Sequence, residues 1–234
     1  MLMTLDFAQL LDPYWSRIYG LVVHRGMYKG IRLRQWVDLV LQTKLLMYGR
    51  AVRFADLCKT LKVVTTNLHN NQPIVFTTSA VAPFERDSPD VSVAEAVRAS
   101  CGIPLFFTPY VADRHFLVDG GVLANFPMWL FHTSPHLTIG INLVPRSDQP
   151  ESSPRSLPAY ISRVLANLMQ AAELSTLITQ VDSIIHVSVP AIPLTQFSLT
   201  SAQKEEMYNS GFNAAKEFLI RNKARLDDYR LSYP

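Results

Sequence analysis

The residues best suited to chemistry lie between Val93 and Pro127. That stretch reads VAEAVRASCGIPLFFTPYVADRHFLVDGGVLANFP. Its apolar run Phe116-Leu117-Val118 ends in Asp119, with Gly120 and Gly121 directly behind. In open α/β sheets, ligands bind at the carboxyl ends of strands, and Asp119 is placed there. Two glycines after it let the backbone turn sharply and approach a ligand closely. Taken alone, an Asp-Gly pair is more simply a turn that ends a strand.

The neighbouring candidates are weaker. Ser100 stands at a helix end before a loop, which suits a helix-end hydrogen bond better than a nucleophile. Cys101 has no histidine near it in sequence and is expected to be a buried structural cysteine. Arg98 is expected to face solvent, the alternative being a pairing with an acidic group near Asp119. Asn67 is expected to anchor a turn. His132 and His136 have the i, i+4 spacing of a zinc pair, but Pro135 breaks helical geometry and no H-E-x-x-H glutamate is present. Both are read as loop histidines, and neither a metal nor a cofactor is expected. Leu105, Phe106 and Phe107 read either as the wall of an acyl-chain pocket or as plain core.

As an ordered set these residues resemble the patatin-like phospholipase family. The family carries A-x-R-A-S-x-x-[IL]-P, then a strand, then [VL]-D-G-G-x-x-x-N-x-P. Here the counterparts run from Ala96 through Arg98, Ala99 and Ser100 to Ile103-Pro104, then from Val118-Asp119-Gly120-Gly121 to Asn125-Phe126-Pro127. The hairpin LKVVTTNL followed by PIVF, and the segment Gly26-Met-Tyr-Lys-Gly30 with the helix after it, fit the same family. The likeness implies a serine–aspartate dyad. A serine on a strained G-x-S-x-G elbow attacks an ester carbonyl, and the aspartate takes its proton directly. Asp119 matches that aspartate, and Gly120 and Gly121 match its supporting turn.

Nothing in the sequence matches the serine. Among the nine glycines only Gly26 and Gly30 stand four apart, and Tyr28 lies between them. A glycine-rich oxyanion loop is missing as well, since Gly26–Gly30 imitates one only superficially. The expectation is therefore a single patatin-like domain over residues 1–234, N-terminally truncated, a three-layer αβα sandwich around a mainly parallel sheet. Two functions follow. The chain is part of a lipid acyl hydrolase that cleaves carboxylic esters of phospholipids or other acyl lipids, or it is an inactive remnant that binds lipid or protein. Whether this chain catalyses by itself is left open.

Hydrophobic periodicity supplies the elements that hold these residues. Helices are predicted over residues 4–12, 31–47, 54–61, 93–100 and 161–180, and again after Thr200. Ser92-Val-Ala-Glu95 and Thr200-Ser-Ala-Gln203 have the form of capping boxes. Strands are predicted over 61–68 and 73–79 as a hairpin, over 116–118, over 137–144 with both faces buried, and over 183–189. Residues 145–158, rich in proline and serine, are predicted to be a surface loop.

Composition limits the rest. Lysine plus arginine number 22 and aspartate plus glutamate 19, a net charge of +3 that offers nucleic acid no basic patch. Cys58 and Cys101, the two cysteines, cannot form a disulfide scaffold or a four-cysteine zinc site. No segment reads as a signal peptide or membrane helix, so the cytoplasm or a membrane periphery is the expected location. The expected partners are a lipid or acyl-ester substrate, a membrane surface touched peripherally, and a second copy of the chain meeting an exposed sheet edge.

Overall fold

The structure, a computed structural model, describes residues 4–13, 17–81, 83–132, 134, 136–146, 156–177 and 183–232. Residues 147–155 of the proline-rich stretch lie outside the described residues. The chain forms two compact units.

One unit comprises residues 6–127 and 164–173. It contains α1 (Arg17–His24), β1 (Gly26–Tyr28), α2 (Ile31–Leu45), β2 (Val63–Asn67), β3 (Gln72–Thr77), β4 (Glu85–Asp87) and α3 (Val93–Ser100). It continues with β5 (Leu105–Phe107), β6 (Tyr110–Ala112), β7 (His115–Asp119) and α4 (Gly121–Ala124), and includes the middle of α5 (Leu157–Leu177). Its main sheet runs β4-β3-β2-β7-β6, and β1 pairs with β5 in a second, two-stranded sheet.

The α/β class holds, but the main sheet is mixed. Among the described residues β3–β4 is its one parallel pair, while β2–β3, β2–β7 and β6–β7 are antiparallel. Tight turns account for β2–β3 and β6–β7, since a hairpin of a few residues reverses the chain, whereas β2 and β7 meet from positions far apart in the sequence. The β2–β3 turn is built from asparagines. Asn67 Oδ1 accepts from the His69 amide at 2.9 Å, and Asn71 takes a left-handed φ of 54°, a conformation its short side chain tolerates. The turn-anchoring role expected of Asn67 is the one it fills.

Helix α3 covers one face of this sheet. Val93, Ala96 and Ala99 of the helix pack on Val63, Phe76 and Leu117, with Val52 and Phe54 completing the cluster. Each large apolar side chain buried in this way contributes roughly 1.5–3 kcal/mol. The helix starts where its capping box predicts, yet Ser92 makes no side-chain cap. Glu95 is drawn elsewhere: it accepts from the Tyr110 hydroxyl at 3.4 Å and faces Arg34 at 3.6 Å.

The start of α2 is closed by a remote carboxylate. Asp12 accepts from the amides of Gly30, Ile31 and Arg32, satisfying donors that a helix N-terminus leaves without partners. Gly26–Gly30 is thus a short strand and a capped helix start, with these amides already engaged.

The other unit comprises residues 1–5, 128–163 and 174–234. Its parallel pair joins β8 (Gly140–Pro145) to β9 (Ile184–Val189), and α6 (Ser201–Arg221) packs on β9. The capping box at the start of α6 is complete: Gln203 N–H donates to Thr200 Oγ1 at 3.1 Å, and Gln203 Oε1 accepts from the Thr200 amide at 2.9 Å. A further helix, α7 (Lys223–Ser232), follows. The expectation that the strand over 137–144 is buried on both faces is corrected. Gly140 and Asn142 are buried, whereas Ile141 and Leu143 are 65% and 58% exposed. A two-stranded sheet with alternating side chains buries only one of its faces here.

Candidate functional site

Asp119 is the last residue of β7, opposite Thr65 of β2. It has the parity of Leu117, which faces α3. Its backbone is held on both sides of the turn. The Asp119 amide donates to the Gly102 carbonyl at 3.0 Å, joining the strand end to the loop after α3. Its carboxyl oxygen Oδ1 accepts from the Gly121 amide at 2.8 Å. The side chain is partly buried, and burial pushes the carboxyl up from 3.8 to about 6, with the Gly121 hydrogen bond pulling the other way. Desolvation outweighs one neutral donor, as expected where no cation is in contact.

Backbone crowding requires a glycine at position 120, while position 121 lies against the ends of side chains. A side chain at Gly120 would put Cβ 2.4 Å from the Val64 carbonyl oxygen. At Gly121 it would lie 2.4 Å from Met169 Cε, 2.8 Å from Asn125 Oδ1 and 3.1 Å from Asp119 Oδ1. Gly120 itself has an ordinary right-handed conformation, φ −61° and ψ −29°. The Asp-Gly-Gly run is therefore a close junction of strand and short helix.

Ser100 ends α3 and Cys101 is its C-cap residue. The expectation of a buried cysteine is corrected: Cys101 is exposed. It leaves the helix at the turn, so its side chain reaches solvent while protein atoms crowd around it. That crowding, with Asp119 close by, pushes its thiol up to about 11 despite the opposing charge of Arg98.

The expectation that Arg98 faces solvent is also corrected, since it is 4% exposed. Its Nε and Nη2 donate to the Lys29 carbonyl at 2.9 and 2.6 Å, and Nη2 donates to the Thr108 carbonyl at 2.8 Å. Carbonyls at two strand ends need donors, and a planar guanidinium reaches both. Sequence reasoning missed this, although an arginine four residues after Ala94 and next to Ala99, in a helix rich in alanine and valine, was the available signal.

Phe106 and Phe107 are buried at 5% and 1%, packed edge-on at 5.0 Å with Tyr28 beside them. Leu105 is 40% exposed with a left-handed φ of 66°. His132 and His136 are both exposed, outside helix and strand, and His136 Nδ1 lies 3.1 Å from the Tyr229 hydroxyl. Among the described residues no three metal-ligating side chains gather, and no helix is long and apolar enough to cross a membrane.

A family model described as patatin-like phospholipase matches residues 3–132, which contain Asp119, both glycines and the whole Arg98–Pro104 run. The chain belongs to the patatin-like phospholipase family. Two relatives align over nearly all of it. The uncharacterised YqhO of Bacillus subtilis is 30% identical over 222 residues, 92% of this chain and 73% of YqhO. The uncharacterised R571 of Acanthamoeba polyphaga mimivirus is 24% identical over 225 residues, 93% of this chain and 73% of R571. The crystal structure of VipD from Legionella pneumophila resembles the chain with a TM-score of 0.49 and 18% identity, over 81% of this chain and 34% of VipD. Membership links the chain to phospholipases, hydrolases whose substrates are lipids.

Proposed function

We propose that Asp119 is the general base of a serine–aspartate site that hydrolyses carboxylic esters of acyl lipids. The observation that carries this reading is the carboxyl at the end of β7. It is desolvated enough to titrate near about 6 and is anchored by the Gly102 carbonyl and the Gly121 amide. A base is most effective when its pKa lies near the working pH. In the proposed reaction, Asp119 takes the serine hydroxyl proton as the serine oxygen bonds to the ester carbonyl carbon. The tetrahedral intermediate then collapses, breaking the ester C–O bond, and Asp119 returns the proton to the leaving alcohol. Water, deprotonated by Asp119 in turn, releases the fatty acid and restores the serine.

The serine belongs to a G-x-S-x-G elbow that these 234 residues do not contain, so in this proposal other polypeptide supplies it. Leu105, exposed beside the site's loop, is proposed as an acyl-chain contact; Phe106 and Phe107 then act as the packing beneath it. The test uses native protein on a fluorogenic acyl ester. Hydrolysis that disappears in Asp119→Ala supports the base role, and hydrolysis that persists in that variant defeats it.

One observation favours a second reading, a lipid-binding module with Asp119 idle. Helix α1 exposes Ile18 at 77%, Tyr19 at 59% and Val22 at 75%, between Arg17 and Arg25. Apolar side chains flanked by cations suit the surface of an anionic membrane. Co-sedimentation with phosphatidylserine vesicles, lost in Ile18→Glu/Val22→Glu and unaccompanied by ester hydrolysis, would decide for it.

A further inference from the structure

The acyl-transfer scheme leaves one buried charge unused. Arg98 sits on α3, nine-tenths or more enclosed, with no carboxylate of the described residues in hydrogen-bond contact. Taking a guanidinium out of water is costly unless its donors are matched, and burial lowers its pKa from 12.5. The fold makes specific room for it. Gly30 has φ +73° and no Cβ, and a Cβ there would lie 1.9 Å from Arg98 Nε.

The guanidinium joins three segments. Its Nε and Nη2 hold the Lys29 carbonyl where β1 meets α2, and Nη2 holds Thr108 just after β5. Its carbon Cζ stands 5.0 Å from the centre of the Phe107 ring. The remaining nitrogen, Nη1, is buried without a partner among the described residues and lies 3.3 Å from where a Gly102 Cβ would be. Gly102 is the residue whose carbonyl accepts the Asp119 amide. The titratable groups around Arg98 are Asp12 at the start of α2, Cys101 at the end of α3 and Tyr110 on β6.

We propose that Arg98 is a positioning residue for Asp119: its guanidinium ties together the ends of β1 and β5 and packs with Nη1 beside Gly102, so that it steadies the residue whose carbonyl accepts the Asp119 amide. The consequence rests on reading Asp119 as the base, since the clamp then keeps that carboxyl in its desolvated place. Arg98 touches neither substrate nor reacting atoms, and its influence passes entirely through Gly102.

Carboxyl NMR of aspartate-labelled full-length chain tests the clamp, with Asp119→Asn assigning the resonance. Wild-type Asp119 is expected to titrate near about 6. Arg98→Lys keeps the charge and loses the planar fork, so water reaches the loosened turn and the midpoint falls by about one unit toward the ordinary carboxylate range. A folded Arg98→Lys protein whose Asp119 midpoint is unchanged overturns the proposal. Should that variant not fold, wild-type protein still decides. The Arg98 Nε–H resonance is expected to exchange slowly and to shift with the same midpoint as Asp119. A resonance that ignores the Asp119 transition overturns the coupling. Neither readout needs turnover, so a wild-type protein without esterase activity would defeat the base assignment while leaving this coupling to be judged by its own titrations.

Discussion

Replacing Asp119 by asparagine should remove activity and strengthen the fold. Asparagine keeps an Oδ1 to accept the Gly121 amide, a bond of 2.8 Å in the native protein, and removes only the charge. Burial moves the Asp119 carboxyl from 3.8 to about 6. At about 1.4 kcal/mol for each pKa unit, ionising it inside the folded chain costs about 3 kcal/mol, an upper value because the side chain keeps some contact with water. The sign follows from proton counts. Between the ordinary value and about 6, the folded chain holds the proton and the unfolded chain has lost it. Stability therefore declines as pH rises through that window and stays lower above it. Urea unfolding of wild type and Asp119→Asn, measured in parallel, isolates this effect because the other carboxylates are common to both. The difference should be near zero at about pH 4 and grow to about 3 kcal/mol in favour of the variant by about pH 7. A variant less stable than wild type at neutral pH, or a difference that does not change with pH, would refute the desolvation argument.

Other perturbations probe the supports. Gly120→Ala puts its added carbon 2.4 Å from the Val64 carbonyl oxygen, backbone that cannot swing aside; a loss of about 1–3 kcal/mol in urea unfolding is expected. Asp12→Ala leaves the three amides at the start of α2 without their acceptor, and about 1–2 kcal/mol of stability should go with it in the same assay. The Cys101 thiol, pushed up from 9.0 to about 11, should react with iodoacetamide on the order of 10²-fold more slowly in the folded chain than after denaturation, as read by peptide mass mapping. Ester hydrolysis should survive Ser100→Ala unchanged, since a residue closing a helix supplies no nucleophile.

Much of the architecture around Asp119 was legible because local chemistry and tertiary packing agree there. The β2–β3 hairpin could be read from asparagines between two β-rich runs, and α3 from the S-x-x-E form at Ser92–Glu95 with Gly102 and Pro104 beyond its end. At the start of α6, Thr200 and Gln203 fulfil their capping box, the side chain of each accepting from the amide of the other. At the start of α3 the same pattern does not close, because Tyr110 and Arg34 draw Glu95 away, and neither is visible in the local sequence.

Long-range pairing explains the remaining differences. Strands β1 and β5 are three residues each and pair with one another across nearly eighty residues of chain, so no periodicity marks them. The mixed character of the main sheet comes from two hairpins, β2–β3 and β6–β7, that meet along β2 and β7 from distant parts of the sequence. Arg98 was read as a surface charge because arginine usually is one. What buries it are two backbone carbonyls and a missing Cβ, at Lys29, Thr108 and Gly30. Only the fold brings these together.

The most direct test of Asp119 as a base is the pH dependence of ester hydrolysis by the native protein, compared with Asp119→Asn. The proposed role requires the ionised carboxylate. The rate should therefore rise with a midpoint near about 6 and level off above it, and asparagine should lower it on the order of 10²–10⁴-fold. A rate that is flat across that pH range, or one that asparagine leaves at the wild-type level, would contradict it.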